Sequence, residues 1–234
     1  MENSNKKDKN RKLVSIVIPC LNEEKNINRT FDGLLELAKD HKYDFEVIAV
    51  NDGSKDDTWE VIKKYAKRHK EIIGVNHMTN YGQTAAYMAG FKQSKGDYVI
   101  TVSADLEIPL SSVDKVIEYL DEGYDFVNTN RVGRWGKERA VKSNLANKII
   151  AMISKVDVKD RGSGVKGFTQ NLIKHVNLYG EMHRFIPDYV QIYGAKMIEF
   201  DVDFKDRDFG QSAYTSSKRT VKVILDLFTL AFLI

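Results

Sequence analysis

The sequence predicts an α/β fold built on a doubly wound, mostly parallel sheet. Strand-like and helix-like segments alternate through the first 130 residues, as in chains whose helices connect parallel strands. The strand-like segments are short β-branched runs, and the helix-like segments carry apolar residues at helical spacing. Ligands bind beyond the carboxyl ends of the strands in such sheets, so functional side chains are expected in the loops that follow the strands.

These patterns place the elements along the chain. The first half predicts strands at 14–19, 45–50, 72–75, 98–102 and 125–129, with helices at 27–38, 58–69, 83–94 and 113–120. The second half is less regular and predicts a helix at 145–156, a glycine-rich loop at 161–167 and a helical segment at 185–193. A half-buried strand follows, in which acidic residues alternate with Ile198, Phe200, Val202 and Phe204.

The two ends of the chain differ from the part between them. We expect a mobile basic tail at 1–12, one catalytic domain at 13–215 and a membrane-proximal helix, amphipathic or apolar, at 216–234. Residues 221–234 would span about 21 Å as a helix, less than the roughly 30 Å hydrocarbon core of a bilayer. A core-docking helix, an interfacial helix and part of a membrane span all remain open. The membrane-related alternatives are favoured because the segment is apolar nearly all round.

Composition restricts the class of protein. Lys and Arg number 36 against 33 Asp and Glu, and the net charge of +3 does not indicate a nucleic-acid partner. The single cysteine, Cys20, excludes an internal disulfide and fits a reducing compartment, and no secretory signal peptide is visible. The motifs of dinucleotide oxidoreductases, P-loop ATPases and α/β-hydrolases are missing from the sequence.

Side chains with oxygen ligands follow three of the predicted strands. They are Asn22, Glu23, Asn51, Asp52 and the run Ser103-Ala104-Asp105-Leu106-Glu107. Asp105 and Glu107 would alternate across an extended segment, so both could face one cleft. Two hard oxygen ligands suit Mg²⁺ or Mn²⁺ held together with a substrate diphosphate. A solvated acidic turn before a helix is the alternative.

The second half supplies the opposite charge. The candidates are Arg131, Arg134 and Arg139 after the fifth strand, then His183, Arg184 and Arg207. Arginine binds phosphate through paired hydrogen bonds, so such a cluster would hold a phosphorylated acceptor. Solvated surface charge is the alternative, which is preferred for Arg139 and left open for Arg134. For the histidines alone, a structural role is favoured over catalysis.

Seven segments in order carry a resemblance to a known family. They are Val14–Glu24 (VSIVIPCLNEE), Val50–Thr58 (VNDGSKDDT), Asn80–Gly90, Gly96–Pro109 (GDYVITVSADLEIP), Asp160–Phe168 (DRGSGVKGF), His183–Pro187 and Arg207–Tyr214 (RDFGQSAY). In this order they resemble family-two glycosyltransferases, in particular the polyprenyl-phosphate branch with its dolichyl-phosphate mannose synthases and undecaprenyl-phosphate sugar transferases. The resemblance runs from about residue 13 to the end of the sequence.

The resemblance implies a GT-A fold, a divalent cation and inverting transfer from a nucleotide-diphosphate sugar, UDP being favoured over GDP. It also implies roles for individual residues. Those of the nucleotide-sugar pocket would be Pro19, Asn22, Glu23, Asn51, Asp52, Ser103, Ala104 and Asp105. The metal would lie on Asp105 and Glu107. The catalytic residues would be Asp105, Arg131 and Arg207, and the acceptor phosphate would be held by Arg131, Arg134, His183, Arg184 and Ser212.

Several positions depart from the family pattern. Ser103 stands where the family usually has an aspartate, so the metal site has lost one carboxylate. Glu107 stands where glutamine is common and would return that charge from a neighbouring position. Asn51 replaces an aspartate, and Ala213 replaces a frequent lysine. We expect weaker metal binding or a specialised enzyme, within the same class.

The acceptor decides whether the reaction needs a base. A lipid monophosphate is largely dianionic at pH 7 and can attack without one, whereas an alcohol cannot. A saccharide hydroxyl, the alternative acceptor in cell-surface polysaccharide synthesis, would need a base, for which Asp160 is the candidate. A catalytically silent sugar-nucleotide-binding relative is a third alternative, which Ser103 favours.

The expected partners follow from these alternatives. They are a nucleotide-sugar donor, a polyprenyl-phosphate acceptor and a membrane surface, with the enzyme on the cytoplasmic face of that membrane. An exposed apolar helix at the end of the sequence could also pair with its own copy and make a homo-oligomer.

Overall fold

The structure, a computed structural model, describes residues 11–133 and 156–205. Seven strands form one sheet in this part of the chain. They are β1 (Leu13–Cys20), β2 (Asp44–Asn51), β3 (Ile72–Asn76), β4 (Tyr98–Thr101), β5 (Phe126–Val132), β6 (Lys166–Thr169) and β7 (Met197–Asp203). Their order across the sheet is β3-β2-β1-β4-β6-β5-β7. Neighbouring strands pair in parallel except at β6, which is antiparallel to both β4 and β5.

Helices cover both faces of this sheet. They are α1 (Ile27–Lys39), α2 (Thr58–Arg68), α3 (Gln83–Gln93), α4 (Ser111–Asp121), α5 (Gln170–Ile173), a 3-10 helix (Met182–Phe185) and α6 (Ile186–Gln191). Successive side chains of a strand point to opposite faces, so Ile16 of β1 packs on the face that α1, α2 and α4 cover. Its neighbour Val17 packs on the other face, with α3, the 3-10 helix and α6. The sheet therefore lies between two apolar layers, as a doubly wound fold requires.

The predicted fold class is confirmed. The five strands and four helices predicted in the first half are all present, with ends that differ by a few residues. The half-buried strand is present as β7. The helical segment at 185–193 is present in part, as the end of the 3-10 helix followed by α6.

The prediction of a glycine-rich loop over the whole of 161–167 is wrong at its end. Lys166 and Gly167 belong to β6, because their backbones pair with β4 on one side and β5 on the other. A Cβ atom added at Gly167 would lie 2.2 Å from Cγ1 of Val116. The glycine at this position therefore serves the packing of α4 on the sheet, and does not mark a turn.

Several predictions fall outside the described residues. They include the helix at 145–156 apart from its last residue, the helix at 216–234, and most of the tail at 1–12. Of that tail Arg11 and Lys12 are described, and Lys12 Nζ donates a hydrogen bond to the Tyr98 hydroxyl at 2.7 Å. Across residues 11–133 and 156–205, every helix is too short or too polar to cross a membrane.

Candidate active site

The loops after β1 and β2 are joined to each other at the carboxyl edge of the sheet. The backbone N–H of Asn22 donates to Ser54 Oγ at 3.0 Å, and Asn22 Oδ1 accepts from the N–H of Lys55 at 2.8 Å. Asn22 has a φ of 57°, in the left-handed region that asparagine tolerates better than most residues. The N–H of Glu23 donates to Thr58 Oγ1 at 2.8 Å. Asn22 and Glu23 thus lie at the predicted edge, where they also hold two loops together.

Pro19 and Asn51 lie at the ends of the neighbouring strands β1 and β2. Pro19 is half-buried and is in register with Val50. Asn51 is buried, and its Nδ2 donates to the side-chain oxygen of Asn76, at the end of β3, at 2.7 Å. These contacts bring the ends of β2 and β3 to one place.

Asp52 anchors the loop that follows β3. One of its carboxylate oxygens lies 2.9 Å from His77 Nδ1 and accepts the N–H of Tyr81 at 2.9 Å. The other oxygen accepts the N–H of Gly82 at 2.9 Å, just before α3 begins. The resemblance indicated Asp52 but not His77. The only signal in the sequence was a histidine two residues after a predicted strand, which is too weak to assign a role.

The segment from Ser103 to Glu107 is a turn and not the extended strand end that was predicted. Leu106 has a φ of 54°, and the N–H of Glu107 lies 3.4 Å from Asp105 Oδ1. The prediction that Asp105 and Glu107 alternate across an extended segment is therefore wrong. The left-handed residue between them breaks the alternation that an extended backbone would give.

Two contacts fix the start of this turn. Ala104 is buried, and its carbonyl oxygen accepts a hydrogen bond from Thr30 Oγ1 at 2.7 Å. The loop before β6 lies directly against Ser103, since a Cβ atom added at Gly164 would be 2.0 Å from Ser103 Oγ. The Thr101 hydroxyl donates to the Gly164 carbonyl at 2.8 Å and holds that loop against the end of β4.

Arg131 and Asp160 form an ion pair beside this turn. Arg131 Nε and Nη2 donate to the two carboxylate oxygens of Asp160 at 2.6 and 2.9 Å. Arg131 Nη1 lies 3.8 Å from Glu107 Oε2, and the arginine side chain is only 3% exposed. Arg131 was predicted to follow the fifth strand, but it lies within β5, because its backbone is in register with Val202 of β7. One guanidinium group thus lies between two carboxylates.

A second pair, Arg161 and Asp188, lies deeper. Arg161 Nε and Nη2 lie 2.9 and 2.8 Å from the two carboxylate oxygens of Asp188, which is fully buried. The same guanidinium donates to the carbonyl oxygens of Val158 and Val156 at 3.1 and 2.7 Å. This pair joins the loop before β6 to α6. Sequence analysis did not identify it, because its partners are 27 residues apart and follow no periodic pattern.

His183 and Arg184 both lie in the 3-10 helix. His183 is buried in the 3-10 helix, and its Nδ1 lies 2.8 Å from the Thr84 hydroxyl at the start of α3. Arg184 has a side chain that is 38% exposed, with Nε 3.9 Å from Glu181. Arg134, Arg207 and Ser212, together with Arg139, lie outside the described residues.

The carboxylates at this edge suit a metal that is shared with a substrate. Within residues 11–133 and 156–205, His, Cys, Asp and Glu side chains form no group of three or more that could hold a metal ion. Mg²⁺ is commonly bound by one or two carboxylates together with substrate phosphates, and not by an all-protein cage. Asp105 is half-buried in the turn after β4 and Glu107 lies two residues away, so the donor set fits that arrangement.

Comparison with known proteins identifies the family of this chain. The model of the family "Glycosyl transferase family 2" matches residues 15–180. Curated relatives include the undecaprenyl-phosphate 4-deoxy-4-formamido-L-arabinose transferases of Photorhabdus laumondii and Pectobacterium atrosepticum. Each is 34% identical to this chain and matches 93% of it, and the chain spans 67% of each relative's length.

Solved structures with a similar fold include glucosyl-3-phosphoglycerate synthase of Mycobacterium tuberculosis. In complex with Mn²⁺, UDP and phosphoglyceric acid it has a TM-score of 0.70 at 20% identity, covering 94% of this chain and 78% of that one. In complex with Mg²⁺ and UDP it has a TM-score of 0.71 at 19% identity, with 94% and 80% covered. At this identity the likeness concerns the fold. Together with the family match, it shows that the chain belongs to glycosyl transferase family 2 and is a glycosyltransferase with the GT-A fold.

Proposed function

We propose that this chain transfers a sugar from a nucleotide-diphosphate sugar, UDP before GDP, to a polyprenyl phosphate, with inversion at the anomeric carbon. The curated relatives act, by their names, on undecaprenyl phosphate, and their similarity extends over 93% of this chain. A phosphate acceptor also suits the described site better than a hydroxyl acceptor does.

The observation that carries this choice is the engagement of Asp160. A hydroxyl acceptor needs a general base, because an alcohol is a poor nucleophile at neutral pH. Asp160, the candidate base, has both carboxylate oxygens committed to Arg131, and one of them also accepts the N–H of Gly162 at 3.0 Å. A carboxylate in this arrangement is poorly placed to take a proton from an acceptor hydroxyl. A lipid monophosphate, which is largely dianionic at pH 7, does not need that step.

The residues of the site then have separate tasks. Asp105 and Glu107 would hold the divalent cation with the donor diphosphate, and the cation would supply positive charge against the leaving group. Asp160 orients Arg131 by binding its Nε and Nη2. The remaining nitrogen, Nη1, takes no part in that contact, and we assign it to the sugar diphosphate. Arg184, which has a partly exposed side chain, is assigned to the acceptor phosphate. These groups position two substrates and stabilise charge without any acid or base.

The acceptor also determines where the enzyme works. A polyprenyl chain remains in the bilayer, so its phosphate can reach the enzyme only at the membrane surface. We propose peripheral association on the cytoplasmic face, where nucleotide sugars are available, with the predicted helix at 216–234 against the bilayer. Removal of that segment should lower the fraction of the protein that sediments with lipid vesicles.

The experiment that tests the function is transfer of radiolabelled sugar from a panel of UDP- and GDP-sugars to a short-chain polyprenyl phosphate, with Mn²⁺, Mg²⁺ or EDTA. We expect a charged glycolipid of inverted anomeric configuration that forms only with metal. Asp105→Asn should abolish its formation, whereas Glu118→Gln, which changes an exposed carboxylate of α4, should leave it unchanged. Transfer to saccharides alone would contradict the proposed acceptor.

A further inference from the structure

Glu199 lies on β7, in the half-buried strand where acidic residues alternate with apolar ones. Its neighbours Ile198 and Phe200 pack on the face of the sheet that α1, α2 and α4 cover. Because successive side chains of a strand alternate, Glu199 lies on the other face, where it is in register with Asn128 of β5. The tasks assigned above to the residues of the site do not use this carboxylate.

Three neutral groups donate hydrogen bonds to the carboxylate of Glu199. The N–H of Lys159 lies 2.9 Å from Oε2, and the N–H of Asp160 lies 3.2 Å from Oε1. The third donor is Nδ2 of Asn128, which lies 2.7 Å from Oε1. Hydrogen bonds to a charged acceptor are roughly twice as strong as those between neutral groups. Glu199 therefore anchors two consecutive peptide units of the loop before β6.

Asn128 holds the same loop by a carbonyl group. Its side chain is fully buried, and its Nδ2 also donates to the carbonyl oxygen of Asp160 at 2.9 Å. The two amide hydrogens are thus used on Glu199 and Asp160, whereas Oδ1 has no hydrogen-bond partner among residues 11–133 and 156–205. A buried acceptor without a partner costs free energy. The orientation of this amide therefore favours the hold on the loop over the pairing of its own oxygen.

The peptide unit held in this way belongs to the residue that orients Arg131. The backbone of Asp160 is fixed on both sides, at its N–H by Glu199 and at its carbonyl by Asn128. The carboxylate of Asp160 binds Nε and Nη2 of Arg131. Because a bidentate pair fixes the plane of the guanidinium group, a displacement of the Asp160 backbone would also displace Nη1.

We propose that Glu199 is a positioning residue for sugar transfer, which acts through Asp160 to hold Arg131 Nη1 against the diphosphate of the donor. Asn128 assists it from the neighbouring strand. This inference rests on the proposed function in assigning Nη1 to the donor diphosphate, and it does not depend on the acceptor.

The test is calorimetric binding of UDP and UMP, with Mn²⁺, to the full chain and to the Glu199→Gln variant. Glutamine keeps the shape of glutamate, but it has no charge, and its amide nitrogen would face a group that donates to Glu199. Only UDP has the second phosphate, so the UMP/UDP ratio of dissociation constants measures the contact with the diphosphate. We expect this ratio to fall about tenfold in the variant, the effect of one charge-assisted hydrogen bond. GDP and GMP replace this pair if the chain binds guanine nucleotides.

The UMP/UDP ratio separates positioning from a merely structural role. Misfolded protein lowers the number of binding sites per chain and leaves the dissociation constants of the remaining sites unchanged. In the Arg131→Gln variant the ratio should already be low, and the addition of Glu199→Gln should lower it no further. Asp201→Asn is the control, because it removes an exposed carboxylate from the same strand and should leave the ratio unchanged.

Asn128→Ala is a second variant that decides the matter if Glu199→Gln fails to fold, and we expect the same fall in the ratio. An unchanged ratio in the folded variant would overturn the inference, as would an Arg131→Gln variant that keeps the full ratio. An equal fall caused by Glu199→Gln with and without Arg131, or by Asp201→Asn, would also overturn it. Failure of the proposed acceptor is distinguishable, because it would abolish transfer to polyprenyl phosphate and leave these ratios intact.

Discussion

The two halves of the carboxyl edge hold their functional side chains in different ways. In the loops after β1, β2 and β3, side chains bind backbone N–H groups, as Asn22 binds Lys55 and Asp52 binds Gly82. Around β5 and β6, charged side chains bind each other, as Arg131 binds Asp160. Backbone groups near the surface can exchange a lost partner for water, whereas a buried charge cannot. The exposed contacts of the first half, such as those of Asn22, should therefore tolerate single substitutions that the buried ion pairs of the second half do not.

The largest expected difference concerns stability. Asp188→Asn leaves the buried guanidinium of Arg161 without its counter-charge and should lower the free energy of unfolding by about 3–5 kcal/mol. Ser54→Ala removes the acceptor of the exposed Asn22 N–H and should cost under about 1 kcal/mol. Urea unfolding of both variants measures the two values. A difference between them of less than 1 kcal/mol would remove the distinction between the two halves.

A smaller effect, on catalysis, is expected at the pair of Arg131 and Asp160, whose carboxylate is partly exposed. Asp160→Asn should lower kcat/KM for transfer about 10- to 100-fold, since Arg131 loses a charge-assisted contact worth about 1.5–3 kcal/mol. The pH dependence of kcat distinguishes positioning from base catalysis. If Asp160 positions Arg131, the profile keeps its shape at a lower rate. Loss of the rising acidic limb in the variant would identify Asp160 as a base and favour a hydroxyl acceptor.

The smallest effect is expected at the opposite edge of the sheet, where Asp121 binds Tyr43, Tyr98 and two lysines near the surface. Burial alone would raise the pKa of Asp121, but these hydrogen bonds outweigh it and lower the pKa from 3.8 to about 2. A lowered folded-state pKa stabilises the protein above pH 3.8, and that stability is lost as the pH falls towards 2.

Unfolding measured between pH 5 and pH 2 tests this cluster. Asp121→Asn should cost about 1 kcal/mol at pH 7, since water screens partly exposed pairs. The difference between the variant and the unmodified chain should shrink as the pH approaches 2. A difference that stays constant over this range would mean that the carboxylate charge does not contribute to the stability of the cluster.

Sequence analysis was most successful where structure is local. The strands of the first half follow from β-branched runs, and the predicted Asn22, Asn51 and Asp52 lie at the ends of those strands or just after them. It was less successful where structure depends on distant partners. Four residues, Lys166–Thr169, become a strand only because β4 and β5 lie on either side of them. Arg131 and Asp160 are 29 residues apart, and no spacing rule connects them.

The reversed direction of β6 decides which residues can reach the active site. A chain that enters a parallel strand comes from the edge opposite the site, as it does before β4. Because β6 runs the other way, the chain enters it from the site's own edge, and the residues just before it lie among the loops that follow the parallel strands. The one antiparallel strand thus adds the loop before β6 to the loops that follow the parallel strands at this edge. Asp160 lies in that added loop and pairs with Arg131.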